Sequence, residues 1–250
     1  MTYSIVAKDK ETGMVGVIVA SRFFAAGAMV PYMGADFAIA SQSWVNPLWG
    51  TEGRQMLAQG ESAQHVLNCM VAKDEGHATR QCHMLDQSGS SAAFTGDDCI
   101  DFAGHEIGDG FSVAGNMLAG KEVVSETARA YCDHLHLPFA ERLMTAMEAG
   151  EAAGGDKRGK QSAGLVIHRG ESYPWLDIRA DDHEDPLAEL RRLYDVAQET
   201  YLIVANYLPT QEHFSGRPDE ADLEGKIEAN KARREQDGKK SQSRATGTEM

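Results

Sequence analysis

A threonine stands at position two, directly behind the initiator methionine, and opens the β-rich run Thr2-Tyr3-Ser4-Ile5-Val6-Ala7. A small second residue ordinarily permits methionine removal, so the mature chain is expected to begin at Thr2. One residue would then carry both a hydroxyl nucleophile and a free α-amine. The amine's reference pKa is about 7.7 to 8.0, so part of it is unprotonated near neutral pH and able to take the hydroxyl proton. A threonine served by its own amine is one arrangement for covalent acyl transfer. Position alone does not settle the matter, because many chains begin Met-Thr without catalytic use of the threonine.

Such chemistry needs a rigid frame, and the run around Thr2 supplies its start. Ser4 to Lys8 alternates as a strand, Asp9 to Gly13 is a polar turn, and Val15 to Ala20 is an apolar run suited to a strand covered on both faces, ending at Ser21-Arg22. Phe37 to Gln42 is a third strand. Ser43 to Gly50 reads as a loop carrying Trp44, Asn46, Pro47 and Trp49, with helices beginning near Thr51 and, capped by serine, at Ser62. Arg80–Asp86 and Ser91–Thr95 flank Gln87-Ser88-Gly89-Ser90 as a hairpin, and Phe111 to Ala114 is a short strand ending at Gly115-Asn116. Two paired helices follow over Lys121–Leu135 and Pro138–Glu151. A glycine-rich loop from Gly154 to Gly159 then leads to strands over Ala163–Ile167 and Leu176–Ala180. That loop lacks the terminal Lys-Ser/Thr of a phosphate-binding loop and precedes a strand, so no nucleotide site is expected. Asp185-Pro186 starts a helix with an apolar face of Leu187, Leu190, Leu193, Tyr194 and Ala197. Two strand-rich blocks, Thr2 to Gln42 and Arg80 to Asn116 plus Ala163 to Ala180, suit two stacked sheets with helices outside.

Several of these runs together resemble the DUF1028 family. They are Thr2 to Ala7, Val15-Gly16-Val17-Ile18-Val19-Ala20-Ser21-Arg22, Gly115-Asn116-Met117-Leu118, Gly154 to Ser162, and Asp177-Ile178-Arg179 followed by Asp181-Asp182-His183. The resemblance is collinear and covers roughly Thr2 to Leu193. It implies the N-terminal-nucleophile (Ntn) hydrolase group and an α+β fold, a four-layer αββα sandwich of two stacked, mostly antiparallel sheets. Residues 2–215 would form that domain, and 216–250 a polar tail, helical over Asp219–Lys231 and disordered from Arg233.

Under that resemblance Thr2 matches the catalytic nucleophile, and Asn116, at a strand end, is the first candidate for an oxyanion donor, ahead of Asn46 and Gln42. An asparagine there also serves as a turn residue tolerating the left-handed conformation. Ser21 and Arg22 close the second strand beside Thr2. A proteasome-like subunit carries an acid and then an arginine there; here the acid is absent, and Ser21 offers only hydrogen bonding. Proteasome subunits also place a lysine beside the threonine, whereas this chain has none between Lys10 and Lys73. A simple amidase therefore fits better than a peptidase. Asp156 and Arg158 form an ion pair, or Arg158 grips a substrate carboxylate. The substrate-binding set is Ser21, Arg22, Gln42, Asn46, Asp156 and Arg158.

No metal is expected. His134 and His136 lie at a helix end and point apart, and Asp182, His183 and Asp185 precede a helix N-terminus, where acids are favoured by the dipole. Cys69, Cys82, Cys99 and Cys132 match no zinc spacing and are expected as reduced thiols in a cytoplasmic protein. No signal peptide is expected, nor any run of about 20 apolar residues for a membrane span. A formal net charge of −14 argues against binding phosphate backbones. The expected partner is a small-molecule substrate, with no nucleic acid, no membrane and no cofactor, and self-association is as a homo-oligomer. Two functions stand: hydrolysis of a small amide or related C–N bond other than a peptide bond through Thr2, or a non-catalytic or differently catalytic member of the fold that binds a small metabolite or partner in the same cleft. The cleft is expected between Thr2, the Ser43–Gly50 loop and Gly115-Asn116.

Overall fold

The computed structural model describes residues 2–246; the expected removal of Met1 and the last four residues of the tail lie outside it. The chain divides after Leu190 into two compact units. In chain order the elements are β1 (Thr2–Lys8), β2 (Val15–Ser21), α1 (Ala26–Met29), β3 (Pro31–Met33), β4 (Ala38–Ser43), α2 (Pro47–Ala58), α3 (Ala63–Lys73), β5 (Arg80–Leu85), β6 (Ser91–Thr95), β7 (Gly104–Gly108), β8 (Phe111–Asn116), α4 (Glu122–Asp133), α5 (Phe139–Ala152), β9 (Ser162–His168), β10 (Pro174–Ala180), α6 (Pro186–Ala197), α7 (Tyr201–Val204) and α8 (Glu220–Gln236).

The strands form two antiparallel sheets, ordered β10-β9-β2-β1-β8-β7 and β3-β4-β5-β6. The sequence blocks do not map onto the sheets as expected. β1 and β2 join the larger sheet and β3 and β4 the smaller, because β4 finds its partner in β5 while β1 lies between β2 and β8. The β1–β2 hairpin turns where Gly13 takes φ 72° and the Asp9 carboxylate accepts from Thr12 N, 3.0 Å away, and from the Thr12 hydroxyl. Its register, Tyr3 opposite Ala20 through Lys8 opposite Val15, follows from that turn.

Strand alternation assigns the two faces of the larger sheet. On one, the Tyr3 hydroxyl donates to Met147 O of α5, 3.0 Å away, and a Cβ at Gly16 would meet Leu143 and Phe139 of the same helix. On the other, Val6, Val15, Val17 and Val19 pack against Met33, Ala38, Ala40 and Leu85 of the smaller sheet. The smaller sheet's remaining face carries Ile39, Cys82, Met84 and Ala92 against Trp49, Leu57, Val66, Leu67 and Met70 of α2 and α3. Helix α2 starts at Pro47, ahead of the expected Thr51, because Asn46 caps it by accepting from Leu48 N and Pro47 suits the first turn. Trp49 is thereby a core residue, and the expected aromatic loop shrinks to the residues around Trp44, which is 75% exposed.

In the unit beginning at Arg191, α8 is capped by Asp219 and runs past the expected end at Lys231. Of the stretch expected to be disordered from Arg233, residues 233–236 form the last turn of α8. Arg234 is buried and donates to both carboxylate oxygens of Asp195, at 3.2 and 2.8 Å, while Asn230 donates to Gln198 O and Glu199 O. A charged stretch without large apolar groups is ordered by ion pairing and helix capping, which a count of apolar residues does not register. Among the described residues no helix is long and apolar enough to cross a membrane.

Candidate functional site

Thr2 heads β1 between two neighbours. It is opposite Asn116 on β8, and on the β2 side its Oγ1 lies 3.2 Å from Ser21 Oγ. Thr2 is 7% exposed, Ser21 3% and Asn116 2%. Asn116 donates from Nδ2 to Thr2 O at 3.4 Å and to Gln81 Oε1 at 2.9 Å. Asn116 itself stays in the strand; the left-handed residue is the next one, Met117, at φ 52°. The reversal after it is held by the glycine-rich loop, whose Asp156 bridges Leu118 and whose Gly155 O accepts from Ala119 N.

Asp156 ties that loop to the end of β2. Its buried carboxylate accepts from Arg22 N at 2.7 Å and from Arg158 N at 2.8 Å, and pairs with the Arg158 guanidinium at 3.3 Å. The Arg22 guanidinium is on the surface and donates to the neutral Gln161 Oε1 at 2.8 Å. Ser21, Arg22, Asn116, Asp156 and Arg158 are therefore gathered at one end of the β2-β1-β8 strands. Asn46 is engaged elsewhere: beyond capping α2, it donates to Asp74 Oδ2 at 2.9 Å, which also accepts from Trp49 Nε1 and Arg80 Nε. Burial raises the Asp74 carboxyl, but the hydrogen bonds from Asn46, Arg80 and Gly76, with the charge of Arg80, hold it well below its ordinary range.

Gln42 is interior rather than cleft-lining, and belongs to a polar layer that the sequence did not disclose. Between the sheets, below Thr2, lie Ser4, Gln42, Gln81, His83 and Ser112, all at 0–1% exposure. Ser4 Oγ donates to Gln42 Oε1 at 2.7 Å and lies 2.7 Å from His83 Nε2; His83 Nδ1 lies 2.6 Å from Ser112 Oγ. Because the Ser4 proton goes to Gln42, His83 must donate from Nε2 and accept at Nδ1. Burial, and next the charge of His105, push the His83 imidazole down to about 3 against a raising contact with the Ser112 backbone, so the ring is neutral. The inter-sheet interior is thus polar beneath Thr2 and apolar beyond Val6.

Residues 2–190 match the family described as "Family of unknown function (DUF1028)". The chain belongs to DUF1028. Protein SPO2555 from Silicibacter pomeroyi, whose crystal structure carries the same family assignment, is 31% identical, with a TM-score of 0.80 over 88% of this chain and 96% of that one. No curated protein matches the chain. The DUF1028 match ends where the first compact unit ends, so Thr2, Ser21, Asn116 and Asp156 all lie within the family portion.

Within this DUF1028 chain no group of three or more His, Cys, Asp or Glu side chains is gathered to hold a metal among the described residues. The His134 and His136 rings, expected to point apart, sit 5.9 Å apart at their centroids. His183 accepts from Asp185 N at 3.0 Å, a local turn contact ahead of α6.

Proposed function

We propose that this chain is an N-terminal-nucleophile hydrolase of a small amide or related non-peptide C–N bond, on a four-layer αββα frame, with Thr2 as nucleophile once Met1 is removed. The observation that carries the proposal is the Thr2 hydroxyl held against Ser21 Oγ with the Asn116 carboxamide on its other side. The freed amine of Thr2 takes the proton from its own Oγ1, which attacks the substrate carbonyl carbon. The amine then returns the proton to the departing nitrogen as the C–N bond breaks, leaving an acyl ester on Thr2. Water, deprotonated by the same amine, cleaves that ester and restores the hydroxyl.

Asn116 is assigned the oxyanion: its 3.4 Å contact to Thr2 O is at the long limit of a hydrogen bond and gives way to a charged acyl oxygen. Ser21 orients the hydroxyl. Arg22, whose guanidinium donates to a neutral amide, and Arg158 are the cations placed to meet a substrate carboxylate, with Asp156 holding both in position. Gln42 and Asn46 take structural roles.

A non-catalytic binding role is the second reading, favoured by one observation: among the described residues no lysine or carboxylate is hydrogen-bonded to the Thr2 hydroxyl. Intact mass of untagged protein separates the two, with Met1 absent and the Thr2 amine unacetylated as the expected result. On any substrate found by screening small amides, Thr2→Ala should lower turnover by at least ~10³-fold and Thr2→Ser far less. Retained Met1, or full activity in the alanine variant, would remove Thr2 from the chemistry.

A further inference from the structure

We infer that Gln81 is the positioning residue that aims the Asn116 carboxamide at Thr2. Its catalytic meaning rests on the Thr2 chemistry proposed above; the orientation itself does not. Gln81 is fully buried on β5, in the sheet opposite Asn116. One end of its amide lies 3.2 Å from Gly104 O and 2.8 Å from Gly115 O. Backbone carbonyls only accept, so that end is Nε2 and the other is Oε1. Gln42 is fixed in the same way, because its Nε2 lies 3.1 Å from Ala114 O. Gln81 Oε1 is therefore an acceptor flanked by two amide nitrogens, Gln42 Nε2 at 2.9 Å and Asn116 Nδ2 at 2.9 Å.

The consequence falls on Asn116. With one N–H held by Gln81, the planar amide directs its second N–H toward the Thr2 side, where it meets Thr2 O at 3.4 Å. A flipped Asn116 would set two carbonyl oxygens face to face in a buried site, an unpaired arrangement costing more than the bond it replaces. Gln81 thus keeps a weakly engaged donor pointing at the place where an acyl oxygen would sit. The aim is set across the inter-sheet layer rather than by the strand that carries Asn116.

The test uses the full chain labelled with ¹⁵N, the Asn116 side-chain signals being those lost in Asn116→Ala. In the wild type, the two Nδ2 protons are expected to differ at least ~10-fold in exchange with solvent, one held by Gln81 and one loosely by Thr2 O. Gln81→Met, similar in size and without an acceptor, should speed exchange of the held proton by about tenfold or more; Gln81→Glu, whose protonated carboxyl donates to Gly115 O while its carbonyl oxygen accepts from Asn116, should restore protection. Labelling of Thr2 by a small β-lactone should slow by about 10- to 100-fold in Gln81→Met, with no further loss when Gln81→Met is added to Asn116→Ala. Two Asn116 protons exchanging alike in the wild type overturn the inference even where Gln81→Met fails to fold. Unchanged signals in a folded Gln81→Met, or losses that multiply in the double variant, overturn it too. Labelling that is equally absent in wild type and Thr2→Ala sinks the Thr2 chemistry instead, and the exchange data still judge Gln81.

Discussion

Replacing His83 by glutamine should flatten the acid limb of the stability curve. In the folded chain His83 is neutral, with its pKa moved from 6.5 to about 3 mainly by burial. The unfolded chain binds a proton near pH 6.5, and the folded chain refuses it until about pH 3. Stability from this residue is therefore complete above pH 6.5 and is lost as pH falls toward 3, by about 1.4 kcal/mol per unit. Two units below 6.5, the loss is about 2.7 kcal/mol. Glutamine does not titrate, but it reaches only one of the two serines that His83 joins, leaving the other without its partner at a cost of about 1–3 kcal/mol. The variant should thus be less stable at pH 7.5 and match or exceed the wild type near pH 4.5. Urea unfolding between pH 7.5 and 4.5 with unchanged m values measures this directly. His105 and His168, also shifted down by burial, remain in both proteins and cancel in the difference. A gap between the two proteins that stays constant with pH, or a His83 ring titrating near 6.5 by NMR, refutes the assignment.

Arg142 and Asp9 form an ion pair at 3.0 Å, with both side chains less than a tenth exposed, and Arg142 also caps the α4–α5 connection through Leu135 O and Leu137 O. Arg142→Met should cost about 3–5 kcal/mol by leaving Asp9 uncompensated, read as a melting point lower by roughly 6 °C or more; a change under about 2 °C would show the pair to be expendable. Truncation after Ala232, harmless if the tail were unstructured, removes the Arg234–Asp195 pair, and hydrogen exchange in α8 should rise by about tenfold or more; unchanged protection would contradict that contact.

The hairpin register made the Thr2–Ser21 contact readable in advance. Once β1 and β2 pair across a short turn, Thr2 must finish beside Ser21, and a polar pair at the end of two apolar strands stands out. Asn116 was accessible for the same reason, as an amide closing a short apolar strand. Gln81 and His83 were not. In Arg80-Gln81-Cys82-His83-Met84-Leu85 the period of two puts polar groups on one face, the usual sign of a solvated sheet. Only the topology reveals that this face meets Ser4, Ser112 and Asn116 instead of water. β7 escaped notice because Gly-His-Glu-Ile-Gly is an edge strand with an exposed middle and no apolar run. β3 is three residues long, below what a periodic pattern can signal. Asn46 could be read as a pocket wall or a helix cap, because an amide beside tryptophans suits both, and the structure shows it capping α2.

The polar layer also works as a lock on assembly. The sheets are built from interleaved stretches of chain, so nothing local dictates how far one slides over the other, and an all-apolar contact would tolerate several settings. Ser4, Gln42, Gln81, His83, Ser112 and Asn116 tolerate one. Moving β1 by a single residue would send Ser4 to the helix side and bring Tyr3 inward, stranding Gln42 Oε1 and His83 Nε2, both of which bond Ser4. Each stranded group costs about 1–3 kcal/mol, enough together to depopulate every mis-set docking. Drift in this interior would therefore be expected to come in matched changes on both sheets, with the end that carries Thr2 the last to move.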